Sequence, residues 1–243
     1  MVYGLISDVH ANLEAFEAVL AELAGVDAYL CLGDIVGYGP DPIPCLERLQ
    51  ALPGLICVVG NHDLAAADRY DLSWFNAHAR AAIEWTSDQL SPAHKAYLTD
   101  LPLTAEAGRA LLVHGSLPNH MEYVLTEADA LACFEAMPRP VCLLGHTHLA
   151  EHFRRRGTAR DCDHLPLPLG GTIALEADTR YIVNPGSVGQ PRDGNAAASY
   201  ARFDTEERRI EVLRVGYDIA AVQKKMQRAG LPAYLAERLS RGA

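Results

Sequence analysis

Four apolar runs in this chain end abruptly on residues that can bind metal ions: VYGLISDVH from Val2, DAYLCLGD from Asp27, GLICVVGNHD from Gly54 and PVCLLGHTH from Pro140. Unbroken apolar runs of this kind read as strands buried on both faces, the condition of a largely parallel sheet covered by helices. Open α/β sheets bind ligands at the carboxyl ends of their strands, where these runs place Asp8, His10, Asp34, Asn61, His62, Asp63, His146 and His148. A fifth cluster, Val113-His114-Gly115, ends a further apolar stretch.

The spacing between the runs predicts βα units. Asn12 is placed to cap a helix over LEAFEAVLAELAG, with Gly25 at its end. The strand at 27–32 leads into GDIVGYGPDP, a turn-rich loop, then a helix around CLERLQAL and the strand LICVVG. Residues 64–100 read as helical, first WFNAHARAAIEWTSDQL and then a helix opened by Ser91 and Pro92, packing over one face or forming a lid. Strands recur near 109–114 and 141–145, flanking a helix at 126–136. TIALEA, RYIVNPG, ASYARFD and RIEVLRV read as a meander, predicting a second sheet, mixed or antiparallel, packed on the first. Helices near 218–229 and 232–241 cover the outside, and residues 1–243 are expected to make a single domain of the α/β class.

A formal net charge of −10 leaves no broad basic surface for duplex nucleic acid or anionic membrane. The first residues lack a basic leader and their apolar stretch is too short to span a bilayer, so a cytoplasmic location is expected. Six cysteines show no CxxC pair, and Cys31, Cys57 and Cys142 fall within strands, where a reduced thiol acts as a small apolar residue.

The donor types point to metal chemistry. Asp34 has two oxygens with which to bridge two cations, Asn61 offers an amide oxygen, and His114, His146 and His148 offer imidazole nitrogens. Nitrogen and oxygen donors without thiolate suit Mn, Fe, Zn, Ni or Co. Two such ions about 3.5–4 Å apart would polarise a phosphoryl oxygen and support in-line displacement.

With DxH, GD, GNH, H and GHxH in order between residues 8 and 148, the chain resembles the calcineurin-like metallophosphoesterase superfamily. The resemblance implies a four-layer α/β/β/α fold, a β-sandwich of two mixed sheets flanked by helices. It implies that Asp8, His10, Asp34 and His148 hold one divalent ion and that Asp34, Asn61, His114 and His146 hold the other, with Mn favoured. It further implies a metal-bridging hydroxide as nucleophile and His62 as acid or transition-state stabiliser, with Asp63 placed to orient that imidazole.

Departures from the family pattern bear on substrate. Protein serine/threonine phosphatases of the superfamily carry an arginine soon after GD and another beside GNH, where this chain has Ile35-Val36-Gly37-Tyr38 and Asp63-Leu64. The loss favours a small or nucleotide-like phosphodiester over a phosphomonoester or phosphoprotein. GDIVGYGPDP, the FNxHA segment and NPGSVGQPRDG resemble a compact bacterial phosphodiesterase-type branch. Within them Arg192 is the expected phosphate contact, Tyr38 a stacking residue, and Asn76 or His78, two apart on a predicted helix, a side chain reaching the pocket. Two rival readings are a phosphomonoesterase with the same metal chemistry and a binding scaffold, as in a retromer subunit of similar fold that lacks the GNH histidine retained here as His62. Arg154-Arg155-Arg156 reads as a solvated hairpin tip.

Overall fold

The computed structural model describes residues 1–243. Its strands are β1 (Val2–Ile6), β2 (Ala28–Cys31), β3 (Ile56–Cys57), β4 (Thr104–Ala107), β5 (Ala110–Val113), β6 (Val141–Leu143), β7 (Ala150–Arg156), β8 (Asp163–Pro166), β9 (Gly171–Ala174), β10 (Thr179–Pro185), β11 (Ala198–Asp204) and β12 (Arg209–Val215). They form two six-stranded sheets, ordered β3-β2-β1-β11-β12-β9 and β4-β5-β6-β10-β7-β8. Both are mixed: β1, β2 and β3 pair in parallel while β1 and β11 run antiparallel, and β5, β6 and β10 are parallel between antiparallel neighbours.

Alternation along the strands builds the layers. Leu5, Leu30, Leu143 and Val183 point into the space between the sheets, with Phe203 and Ile210. Their neighbours Ile6 and Cys31 face a larger core under the helices α1 (Leu13–Glu22), α2 (Pro42–Gln50), α4 (Ala77–Gln89), α5 (Pro92–Asp100), α7 (Ile219–Arg228) and α8 (Ala233–Leu239). Cys142 and Ile182 face outward under α6 (Glu127–Ala136). Both faces of β1, β2 and β6 are therefore covered, which is why they read as near-continuous apolar runs. The expected α/β/β/α sandwich of two mixed sheets is present.

The division of strands differs from the expected one. The late strands do not form the second sheet by themselves: β9, β11 and β12 extend the sheet begun by β1–β3, and β10 joins β5 and β6. Hydrophobic alternation reports that a strand is buried but not which neighbour it pairs with. The 64–100 segment opens earlier than expected, with α3 (Asn61–Ala66), and packs rather than hangs free: Ala79, Ala82, Ile83 and Leu98 belong to the larger core. Asn76 is not on a helix but caps α4, its Oδ1 accepting from His78 N at 3.1 Å and Ala79 N at 3.0 Å. Asn12 and Ser91 cap α1 and α5 as expected. All six cysteines are free and buried. The three arginines at 154–156 close β7, each paired with a carboxylate. No helix is long and apolar enough to cross a membrane.

Candidate metal centre

The polar clusters converge beyond the carboxyl ends of β1, β2, β3, β5 and β6. At each the chain turns sharply, and Asp8, His10, Asp34, His146 and His148 all adopt left-handed backbone, with φ between 48° and 69°. Such geometry costs roughly 1–3 kcal/mol per non-glycine residue and persists where surrounding structure enforces it. Glycine clears the space: a Cβ on Gly60 would lie 2.0 Å from Asp34 Oδ1, and one on Gly145 would lie 1.9 Å from Ser7 Oγ.

Donor atoms fall into two groups, each mutually within 4.8 Å: Asp8, His10, Asp34 and His148, and Asp34, His114 and His146. Asp34 joins them through a single oxygen, because Oδ2 lies 3.6 Å from His10 Nε2 and 3.3 Å from His114 Nε2 while Oδ1 accepts from His62 N. Asn61 Oδ1 lies 3.2 Å from His114 Nε2.

Each histidine has its other nitrogen on a main-chain carbonyl: His10 Nδ1 on Val36 O at 3.1 Å, His114 Nδ1 on Leu32 O at 2.7 Å, His148 Nδ1 on Gln190 O at 2.6 Å and His146 Nε2 on Met121 O at 3.1 Å. These contacts orient the rings and turn the opposite nitrogens onto the centre, as outer-shell partners do for metal ligands. The electrostatics agree. Burial lowers His114, but the charge of Asp34, its hydrogen bond and the charge of Asp8 carry the imidazole up to about 10, so that a proton stands where a cation would. Burial drives His10 and His148 well down and His146 to about 3, leaving them neutral ligands. The residues fit two first-row divalent ions.

The segment from Asn184 to Arg192 braces this centre. Asn184 Nδ2 donates to Gly145 O and Thr147 Oγ1, Ser187 Oγ donates to Asp8 O, and Gln190 O receives His148. NPGSVGQPR reads from the sequence as a glycine-rich border of the metal pocket, and the side chains of Asn184 and Ser187 make it a brace as well.

His62 lies beside the centre, 4% exposed, its ring against Tyr38, His10 and Phe75, with Nδ1 lacking any partner. Burial lowers it to about 4. Asp63 does not orient this ring, contrary to expectation. Its Oδ1 accepts from Ile35 N and Val36 N and its Oδ2 from Gly60 N, so it braces the loop after β2; α3 begins at Asn61 and turns the carboxylate back on its own N-terminus.

Above the centre opens a cavity of about 210 Å³, lined by Tyr38, Asn76 and Arg192 together with Asp34, Asn61, His62, His146 and His148. Arg192 Nη2 donates to Tyr38 Oη at 3.3 Å and Gln190 Oε1 at 3.1 Å. His78 is not in the lining; it stacks on Tyr234 at 5.1 Å. The helical reading of 64–100 missed a wall of Tyr70, Trp74 and Phe75, which Met121 and Tyr123 complete from outside that segment.

Known proteins place this architecture. A crystal structure of a metallophosphoesterase from Sphaerobacter thermophilus is similar at a TM-score of 0.91 and 42% identity, covering 100% of this chain and 99% of that one. Hypothetical protein PH1004 from Pyrococcus horikoshii OT3 shares the fold at a TM-score of 0.79 and 19% identity, over 100% and 98% of the two chains. The uncharacterized protein MJ0912 of Methanocaldococcus jannaschii is 36% identical over 248 residues, 98% of this chain and 97% of its own. The family model of the calcineurin-like phosphoesterase superfamily domain matches residues 1–208. Shared fold, matched sequence and a donor set built for two ions agree, and the chain belongs to the calcineurin-like phosphoesterase superfamily.

Proposed function

We propose that this protein is a metal-dependent phosphodiesterase acting on a small phosphodiester. The observation that carries this reading is the charge of the cavity. Apart from the metal-binding set, Arg192 is the one charged side chain in its lining, and burial keeps His62 neutral at pH 7. A diester brings one negative charge where a monoester dianion brings two, and recognition of a dianion is commonly shared among several cationic donors.

Two divalent ions, with Mn favoured for this nitrogen and oxygen donor set, would supply Lewis acidity toward a phosphoryl oxygen and acidify a water. The chain's own residues do the rest. Gln190 Oε1 accepts from both Arg192 and Arg238, at 3.1 and 3.0 Å, which holds the Arg192 guanidinium in the cavity wall as the cationic donor for a phosphoryl oxygen. His62, neutral and lining the cavity, offers a hydrogen bond to the leaving oxygen rather than a full positive charge. A cytoplasmic location goes with the reading, supported by six free thiols.

The test is hydrolysis of bis(p-nitrophenyl) phosphate beside p-nitrophenyl phosphate, on chelator-stripped protein refilled with Mn²⁺, Ni²⁺, Fe²⁺ or Zn²⁺. Metal-dependent cleavage dominated by the diester is the expected result. Preference for the monoester overturns the diesterase reading in favour of a phosphatase, and no turnover despite bound metal points to a scaffold.

A further inference from the structure

Three large aromatics of this chain are substantially exposed: Trp74 at 78%, Tyr123 at 47% and Tyr234 at 46%. Tyr234 has its partners, stacked on His78 and covered by the Arg238 guanidinium at 5.5 Å. The other two both line the cavity over the metal centre, from separate segments of the chain. Trp74 ends a single 3-10 turn, Leu72–Trp74, capped by Asp71. The adjacent Phe75 is buried against His62 and Tyr70, which anchors the segment while leaving the indole in solvent. Tyr123 lies flat on His146, ring centroids 4.1 Å apart and planes at 18°.

The cavity's size gives these rings a purpose. At about 210 Å³ it is smaller than the ~300–1,000 Å³ pockets that enclose an organic ligand, so a phosphoryl group over the metal centre leaves the rest of its ester at the rim. Trp74 and Tyr123 stand on that rim. Stacking on exposed aromatics suits a planar nucleobase, since every base presents a π-face. Asn76 also lines the cavity, and because its Oδ1 is taken by the α4 cap its amide nitrogen remains a donor for a ring nitrogen or sugar hydroxyl.

We propose that Trp74 and Tyr123 form a base-stacking subsite and that the phosphodiester bound here is a nucleotide ester. This rests on the phosphodiesterase reading, and two measurements keep the failures of the two claims apart. In the first, Mn²⁺-loaded protein is titrated with adenosine 5′-monophosphate or ribose 5-phosphate while tryptophan fluorescence is followed. The nucleotide quenches emission, the sugar phosphate does not, and Trp74→Phe abolishes the quench although Trp85 remains. In the second, kcat/KM for the p-nitrophenyl ester of thymidine 5′-monophosphate is compared with that for methyl p-nitrophenyl phosphate, which has the same leaving group and no base. The wild-type protein favours the nucleotide ester, and Trp74→Ala or Tyr123→Ala shrinks that ratio about tenfold through KM. No quench by the nucleotide, or a ratio that the substitutions leave unchanged, overturns the subsite. Quenching without cleavage of either diester leaves the subsite standing and defeats the phosphodiesterase reading.

Discussion

The Nε2 atoms of His10 and His148 lie 3.0 Å apart, and neither can donate to the other while Nδ1 of each donates to a carbonyl, Val36 O and Gln190 O. Two lone pairs at that distance repel; His114 Nε2 and His146 Nδ1 are also 3.0 Å apart, but there the proton held on His114 stands between them. A cation between His10 and His148 would convert the repulsion into coordination, and one between His114 and His146 would replace the proton. Metal ions should accordingly stabilise the fold. Refilling stripped protein with Mn²⁺ at about a hundred times its dissociation constant should raise Tm by about 5–10 °C in differential scanning calorimetry. A Tm that does not respond to metal would mean the centre is satisfied without ions.

Asp34 is the one carboxylate shared by both donor groups, and its Oδ2 faces His10 and His114 together. Asp34→Asn presents a neutral amide there, so both ions lose their common anionic ligand. Metal analysis should find well under one ion per chain, with activity lost in proportion. Two retained ions would remove Asp34 from the bridging position.

His62 is placed to serve chemistry without holding metal, since its ring contacts are to Tyr38, His10 and Phe75. His62→Ala should keep metal content and lower kcat about a hundredfold or more, the usual contribution of a positioned proton donor. Unchanged kcat with full metal would end the assignment.

The strand runs and ligand clusters were legible because burial on both faces and metal coordination each demand particular residue types at fixed offsets. Leu5, Ile6, Leu30 and Cys31 spell a doubly covered strand pair, and DVH and GD spell its functional ends. Sheet membership was not legible, because β11 could satisfy its alternation beside β10 as well as beside β1, where long-range pairing places it. The role of Asp63 was hidden for a related reason. Its neighbour in sequence is His62, but its partners are the amides of Ile35 and Val36, reached only when α3 starts at Asn61. Trp74 was obscured by periodicity: WFNAHARAA scans as helix, yet the Asn76 cap sets the start of α4 and leaves the indole outside it.

Asn184 is 2% exposed, and its amide donates to Gly145 O at 2.7 Å and Thr147 Oγ1 at 2.9 Å while its oxygen accepts from Gly186 N. Asn184→Ala strips partners from buried groups, which should cost about 1–3 kcal/mol in denaturant unfolding. It also frees the loop carrying His146 and His148, so metal affinity should fall about 10–100-fold, as on loss of other outer-shell supports. Lost stability with unchanged metal affinity would show that the loop is held by the ligands alone.

On β7, four residues beyond His148 and outside the donor set, His152 is 8% exposed and its Nδ1 has no partner. Burial lowers it from 6.5 to about 4, with the charges of Arg154 and His164 acting in the same direction and Asp163 against them. Between those values the unfolded chain binds a proton that the folded chain refuses. Above pH 6.5 the residue therefore takes nothing from stability, and as pH falls toward 4 it should withdraw about 1–2 kcal/mol, allowing for partial screening by solvent. His152→Gln cannot titrate, so the stability gap between wild type and variant should shift in the variant's favour across this window. Because the comparison is between two chains with the same metal ligands, acid release of metal affects both alike, and parallel stability curves from pH 7 to 4 would show that His152 is protonated in the folded protein.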